Sequence, residues 1–534
     1  MNRRLQALLP IGAALLLAGF AAAFAWTCDD AFIAFRIGRN FVEGHGLGFN
    51  PDVSPQVEGH TATIWQLLLV LLEALRLEIV SSARALEGAI AALLVWWFTR
   101  ACLRGPLALG PAGAVAAALV LATAPPLVVW ATGGLGTPTI ALAVFVAVER
   151  LLVAGRGGSV AVAVLAVALL PYVRFDGPVF VAAITVTGFV AGRSTGNARL
   201  VRASVLGAAW ALLGFVAQTG MRLAYYGDWL PNTARAKGGI GAVSLERGID
   251  YLLSGWLAFP LLAVVLLPAA LAALRERRRD PTPLLVGGVL FGAAGYVVLV
   301  GGDFMAMGRF FVPALPFVAW TFGRLVQRLA ARRASPLLPA ATTAVALVLS
   351  VPALFDVSLL PRGWREAVAF RHNGPFVSER EFYDGMSLRA RRWSCVGKAL
   401  ARIAKPGDSI VLGAIGAVGY YSGVTVHDRH GLVDRQVAIE VPLTPDAIGL
   451  PGHDHVAPLD FFDARRPTWT QFELLLGAEA TPEARAAIEP LRLAGVVDVV
   501  EVTPADGAPE DGLLVLLRFV PPELRPDAAP RKRD

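Results

Sequence analysis

From residue 5 to residue 355 the chain is a succession of apolar runs of membrane-spanning length, separated by short loops rich in arginine. A span needs about 20 apolar residues, and in lipid a backbone can satisfy its own polar groups only as a helix or a closed barrel. Runs of this kind therefore predict a helical membrane protein. Candidate spans are 5–26, 84–99, 112–130, 137–155, 203–225, 251–274, 283–301, 310–330 and 336–355, with two shorter ones at 159–172 and 177–192. Composition agrees: 55% of residues are hydrophobic and 17% charged, too apolar for a soluble enzyme, a disordered chain or a nucleic-acid binder.

Charge divides the chain. Residues 1–355 carry 27 Lys and Arg against 16 Asp and Glu, whereas 356–534 carry 21 against 25. We read 1–355 as the membrane domain, 356–520 as a soluble α/β domain and 521–534 as a disordered tail. Cytoplasmic loops are enriched in Lys and Arg. Arg3/Arg4, Arg100/Arg104, Arg150/Arg156, Arg193/Arg199/Arg202, Arg275 to Arg279 and Arg324 to Arg333 are therefore assigned inside. The alternation holds only if 63–77 (TIWQLLLVLLEALRL) does not cross. The expectation is about 11 crossings of a bacterial plasma membrane, the N-terminus cytoplasmic and the C-terminal domain extracytoplasmic. Residues 1–26 read as a retained anchor rather than a cleaved signal, since no clear cleavage site precedes TCDD. Three cysteines build no disulfide framework and are expected unpaired.

The loops assigned outside collect the ionisable residues. TCDDAFIAFRIGRN opens a helix that Thr27 is placed to cap, with Asp29, Ile33, Arg36 and Asn40 on one face. Two adjacent carboxylates, Asp29 and Asp30, repel each other, and one of them is the candidate base for a hydroxyl proton. Asp29 is preferred because it shares a face with Arg36 and Asn40, whereas Asp30 is better placed to cap. Further loops offer Arg174 and Asp176; Asp228, Asn232, Arg235 and Lys237; and Asp303 and Arg309. Cations beside a carboxylate suit a lipid phosphate. In the soluble part, GAIGAVG has G-x-x-G-x-x-G spacing, not that of a dinucleotide loop, and reads as a tight turn.

Five ordered blocks across about 27–434 resemble bacterial integral-membrane glycosyltransferases of the GT-C superfamily, in particular the mycobacterial terminal arabinofuranosyltransferase group. They are DDAFIAFRIGRNFVEGHGLGFN, VEGHT, YYGDWLPNTARAK, GGDFMAMGRFFVPALP and GAIGAVGYYSG…DRHGLVD. The resemblance implies a mostly α, polytopic GT-C fold with a C-terminal extracytoplasmic α/β domain. It implies a polyprenyl-phosphate-linked sugar donor, a cell-envelope glycan acceptor on the outer face, and inverting transfer with Asp29 or Asp30 as base. Arg36, Lys237 and Arg309 become donor-phosphate ligands, and Asn40, His60, Asp228, Asn232 and Asp303 cavity residues. No cofactor is expected; a divalent ion at Asp29/Asp30 is the less favoured alternative. Two departures stand out: His60 replaces a Tyr, and Gly136 replaces a Glu of the family's pattern. The competing class is a transporter or flippase of lipid-linked sugars. Such folds place charges on broken helices in two related halves, and this sequence shows neither.

Overall fold

In the computed structural model, residues 3–51, 53–237, 241–332, 337–355, 357, 361–368, 377–443, 453–470, 489–490, 493, 497–502, 514–521 and 524–525 are described. Among these, eight helices are long and apolar enough to cross a membrane: Gln6–Ala23, Ile79–Arg104, Thr137–Gly155, Gly177–Thr195, Ala198–Tyr226, Thr282–Val300, Arg309–Arg332 and Leu337–Phe355. Three of the expected spans come out differently. The run 251–274 is broken near Pro260, and the helices Ala242–Ala258 and Leu261–Glu276 meet at 104°. The run 112–130 splits into Pro111–Ala122 and Pro125–Trp130, with Pro125 and Pro126 opening the second helix; proline cannot donate to the preceding turn. The run 159–172 forms a shorter apolar helix, Val160–Val173. Thr63–Ala74 has 12 residues, too few to span, and buries Trp65, Gln66 and Leu69 while exposing Leu67 and Leu71.

The C-terminal part is α/β. A long helix, Glu379–Ile403, is capped by the Ser378 hydroxyl, which accepts the Glu381 N–H. It precedes strands β1 (Ser409–Leu412), β2 (Thr425–Asp428), β3 (Trp469–Thr470), β4 (Val497–Val502) and β5 (Leu514–Phe519), in sheet order β2-β1-β3-β5-β4. β1 runs parallel to β2 and β3; β5 is antiparallel to β3 and β4. Of the tail 521–534 only 521, 524 and 525 are described, and Arg525 is tied to Asp463 by two bonds of 2.7 Å.

One helix joins the two parts. Asp29–Val42 is buried almost all round. Its Phe32 and Phe35 belong to the membrane-helix core, whereas Ile33 and Ile37 pack with Val396, Ile410, Ile415 and Val418 of the C-terminal part. The contact is so close that a Cβ on Gly416 would run into the Asp29 backbone carbonyl, and one on Gly419 would lie 2.6 Å from the Phe49 ring. The GAIGAVG turn is thus glycine-rich because a helix packs on it. All three cysteines are buried and free.

Candidate active site

The Asp29–Val42 helix begins after Cys28, which makes no side-chain cap. Thr27, expected there, instead accepts a hydrogen bond from Arg84 at 2.6 Å. Successive residues on a helix point about 100° apart, so Asp29 and Asp30 diverge. The Asp29 carboxylate accepts the N–H groups of Gly416 at 3.0 Å and Ala417 at 2.8 Å. Its face-mates do the same kind of work. Arg36 donates to the carbonyls of Gly419 (2.6 Å) and Val424 (2.8 Å) and lies over the Phe49 ring. Asn40 donates to the carbonyls of Gly48 (2.8 Å) and Phe49 (3.0 Å). This face fixes the C-terminal part and the loop that follows the helix.

Asp30 turns the other way. Burial raises its carboxyl above the ordinary aspartate value, Asp303 adds to the rise, and Arg309 and Lys237 oppose it. Burial likewise lowers the Lys237 ammonium, with Arg309 and Arg174 pushing the same way and Asp303 and Asp30 against. By surface area, however, Asp30 is half-buried and Lys237 exposed. Crowding by protein together with access to solvent describes side chains lining a concave cleft.

The other charged groups of the cleft are paired. Asp303 takes the Nε–H of Arg309 at 2.8 Å, both residues buried, which leaves the Nη fork of that guanidinium for another acceptor. Arg174 meets Asp176 at 3.2 Å and lies over the Phe310 ring. Among the described residues, Asp30 and Lys237 stand in no ion pair. The loop carrying Asp303 and Arg309 is held rigidly: Gly301 and Gly302 take φ of 78° and 76°, and Trp130 donates to the Ala306 carbonyl at 3.0 Å. Met307 adopts a left-handed φ of 57° and gives its N–H to Glu379.

The remaining sequence candidates lie around this cleft or brace it. His60 is desolvated, which lowers its pKa to about 4, and its Nδ1 has no protein partner. Beside it the buried pair Glu58–Arg222 closes at 2.6 Å. Asp228 accepts from Arg235 at 2.7 Å and from the Trp229 N–H at 2.8 Å. Asn232 donates to the carbonyls of Gly431 (2.6 Å) and Leu432 (3.0 Å). Asp228 and Asn232 therefore shape the loop that delivers Lys237 and dock it on the C-terminal part. At Gly136 φ is 68° and an added Cβ would lie 2.6 Å from the Trp65 ring, so a side chain there does not fit. Glu87 enters from the neighbouring helix instead, accepting the N–H groups of Gly134 and Thr137.

The overall arrangement has relatives among solved structures. ArnT from Cupriavidus metallidurans bound to undecaprenyl phosphate superposes with a TM-score of 0.58 at 15% identity, covering 97% of this chain and 99% of that one. The fold is of the GT-C type. The oligosaccharyltransferase of Archaeoglobus fulgidus, tethered to an acceptor peptide containing the NVT sequon, gives 0.54 at 11% identity over 95% of this chain and 74% of that one. In sequence, a domain of unknown function, DUF8728, matches residues 381–490. No curated protein matches the chain.

Sequence reasoning missed Phe304, His430 and His453, which meet beside Lys237. The only signal for His453 was the pairing of two histidines around an aspartate in GHDHV.

Proposed function

We propose that the chain is an inverting glycosyltransferase that takes a sugar from a polyprenyl monophosphate and places it on a hydroxyl of a cell-envelope glycan. Asp30 is the base and Lys237 the principal phosphate ligand. The observation that carries this reading is the pairing pattern of the cleft: two carboxylates are neutralised by arginines, while one carboxylate and one ammonium stand open. An open carboxylate can accept a proton, and an open ammonium can accept an anion. The likeness to the structure of ArnT bound to undecaprenyl phosphate supports a lipid-phosphate donor in the same fold.

The chemistry asks little more. A lipid phosphate leaves readily, so no general acid is required. The acceptor oxygen attacks the anomeric carbon on the face opposite the phosphate as ionised Asp30 takes its proton. The bond to the phosphate oxygen breaks with its electron pair, and Lys237 and the Nη fork of Arg309 meet the growing charge. Arg174 stands next in line behind them. Arg36, which the resemblance made a phosphate ligand, has its guanidinium on two carbonyls and is left out of the clamp. The reading assigns no metal, since the cations of the chain supply the charge. The same reading keeps the N-terminus cytoplasmic, the cleft extracytoplasmic and arabinofuranose the sugar to try first. The test is transfer by membranes containing wild type or Asp30→Asn from a panel of radiolabelled polyprenyl-phosphate sugars. Transfer from none of them, or equal transfer by the variant, refutes it.

A further inference from the structure

The GT-C reading accounts for the donor side of the cleft and leaves the acceptor side open. On that side a segment of the C-terminal part reaches the loop of Asp303 and Arg309. The His453 ring stands edge-on to Phe304 with centroids 4.6 Å apart at 89°, and edge-on to His430 at 4.6 Å and 75°. Phe304 directly follows Asp303 in the chain, so the three rings stand next to the Asp303–Arg309 pair.

The backbone that follows His453 is fixed at three points. Asp454 is bound by Arg247 of the Ala242–Ala258 helix at 2.6 Å. His455 gives its Nδ1–H to the Val441 carbonyl at 2.6 Å, and Ala457 gives its N–H to the Arg429 carbonyl at 2.9 Å. His430 is fixed too: its ring Nδ1–H donates to the His455 carbonyl at 2.8 Å and its backbone N–H to Asp428 at 2.8 Å. The bond to a carbonyl sets the proton on Nδ1 of His430, since a carbonyl only accepts. Within this braced segment His453 is the exception. Its Nδ1 is buried with no protein partner, although the residue as a whole, like Phe304, is only half-buried. Buried polar atoms are nearly always paired, and an orphan at a cleft calls for a partner from outside the chain.

We propose that Phe304, His430 and His453 form the acceptor subsite, in which a sugar ring lies against Phe304 and the His453 imidazole hydrogen-bonds one of its hydroxyls. The chemistry of the three rings selects that class. A sugar has an apolar C–H face and a rim of hydroxyls, which match an aromatic ring beside an uncharged hydrogen-bonding one. Position selects the side: a polyprenyl donor must approach along the membrane helices, whereas His430 and His453 belong to the C-terminal part. The proposal rests on the glycosyltransferase reading for the word acceptor, but its binding test does not depend on turnover.

The experiment uses the full chain in nanodiscs loaded with undecaprenyl phosphate. Saturation-transfer NMR follows three probes: a methyl pentofuranoside disaccharide, a methyl hexopyranoside disaccharide and a peptide with an Asn-Val-Thr sequon. At least one disaccharide is expected to bind the wild type. His453→Phe, which keeps the ring and loses the nitrogens, is expected to weaken that binding about tenfold, the scale of a lost hydrogen bond. Phe304→Ala should weaken it as well, and His453→Asn should restore part of it. Lipid retention by native mass spectrometry should be unchanged in all of them, which separates a lost contact from a lost fold. Wild-type disaccharide binding by His453→Phe overturns the subsite, as does binding of the peptide alone or loss of lipid retention in both His453 variants. Failure of all transfer with the binding contrast intact would remove the catalytic reading and leave the sugar site standing.

Discussion

The Asp29 carboxylate and the Ala417 N–H lie 2.8 Å apart across 388 residues of sequence. This bond, with its companion to Gly416, pins the first turn of the Asp29–Val42 helix to the first turn of Gly416–Ser422. The neighbouring residue, Asp30, takes no part in that clamp and feels the charges of Arg309 and Lys237 instead. Two adjacent acids thereby acquire different physical duties, one as a clamp and one in the cleft.

Replacing each acid by its amide should separate those duties. Asp30→Asn is expected to cut transfer by about 10²–10⁴-fold with no loss of stability, because burying an ionised carboxylate is unfavourable to begin with. Asp29→Asn should keep measurable transfer but lower stability by about 1.5–3 kcal/mol, the worth of hydrogen bonds to a charged group. Radiolabel transfer and thermal unfolding in nanodiscs measure the two. The reverse pattern would return the base to Asp29.

The acid limb of the pH profile follows from Asp30. Its carboxyl is raised by burial and by Asp303, and the base must be ionised to act. Transfer should therefore decline as pH falls through a value above the ordinary aspartate pKa of about 3.9. Stability carries the opposite sign. A raised folded-state pKa means the folded protein binds this proton more tightly, so this group's contribution is greatest at low pH and is lost as pH rises through the raised value. An acid limb in kcat/KM at or below the free-aspartate value would argue for another base.

Donor binding should distinguish cations that look alike in sequence. Lys237→Ala is expected to weaken binding of undecaprenyl phosphate by about 1.5–3 kcal/mol. Arg309→Lys should lose part of the affinity, since the guanidinium fork is gone. Arg36→Ala should leave affinity near wild type and lower the melting temperature, because its partners are the Gly419 and Val424 carbonyls. Native mass spectrometry reads the first two and calorimetry the third. Wild-type affinity in both cleft variants would move the phosphate elsewhere, with Arg174 next.

Introducing at position 136 the glutamate of the group the sequence resembles should harm this protein. Gly136→Glu places a side chain against Trp65 and in a left-handed backbone conformation, a strain on the order of 1–3 kcal/mol. Lower thermal stability with no gain in transfer is the expected result. Improved transfer would show that Trp65 yields and that the carboxylate was wanted there.

Orientation is open to direct labelling. Single cysteines at Val243 and Arg278, in a background lacking Cys28, Cys102 and Cys395, should react from outside and from inside respectively. Labelling of position 278 by an impermeant reagent on intact cells would reverse the membrane sidedness.

The sequence by itself determined the class of molecule. Runs of about 20 apolar residues leave a backbone no option in lipid but the helix, and eight of the expected spans stand as continuous helices. It also determined which loops carry most of the charge, because ionisable residues are costly and rare in span interiors. Local order was less legible: Pro260 and Pro125 break helices whose apolar composition reads as continuous. What only the tertiary structure decided is what each charged group faces. Asp29, Arg36 and Asn40 do share a helical face, as their spacing requires, but that face meets the C-terminal part, a partner nearly 400 residues away. Asp30, Lys237, Asp303 and Arg309 come from three segments, and no periodicity relates them. Their arrangement depends on how those segments fold against one another, as does the meeting of Phe304 with His453. A helix period is fixed by the backbone, whereas the partner of a side chain is fixed by the packing of segments distant in sequence. That is why the membrane helices could be read from the chain, and why the division of labour between two adjacent aspartates could not.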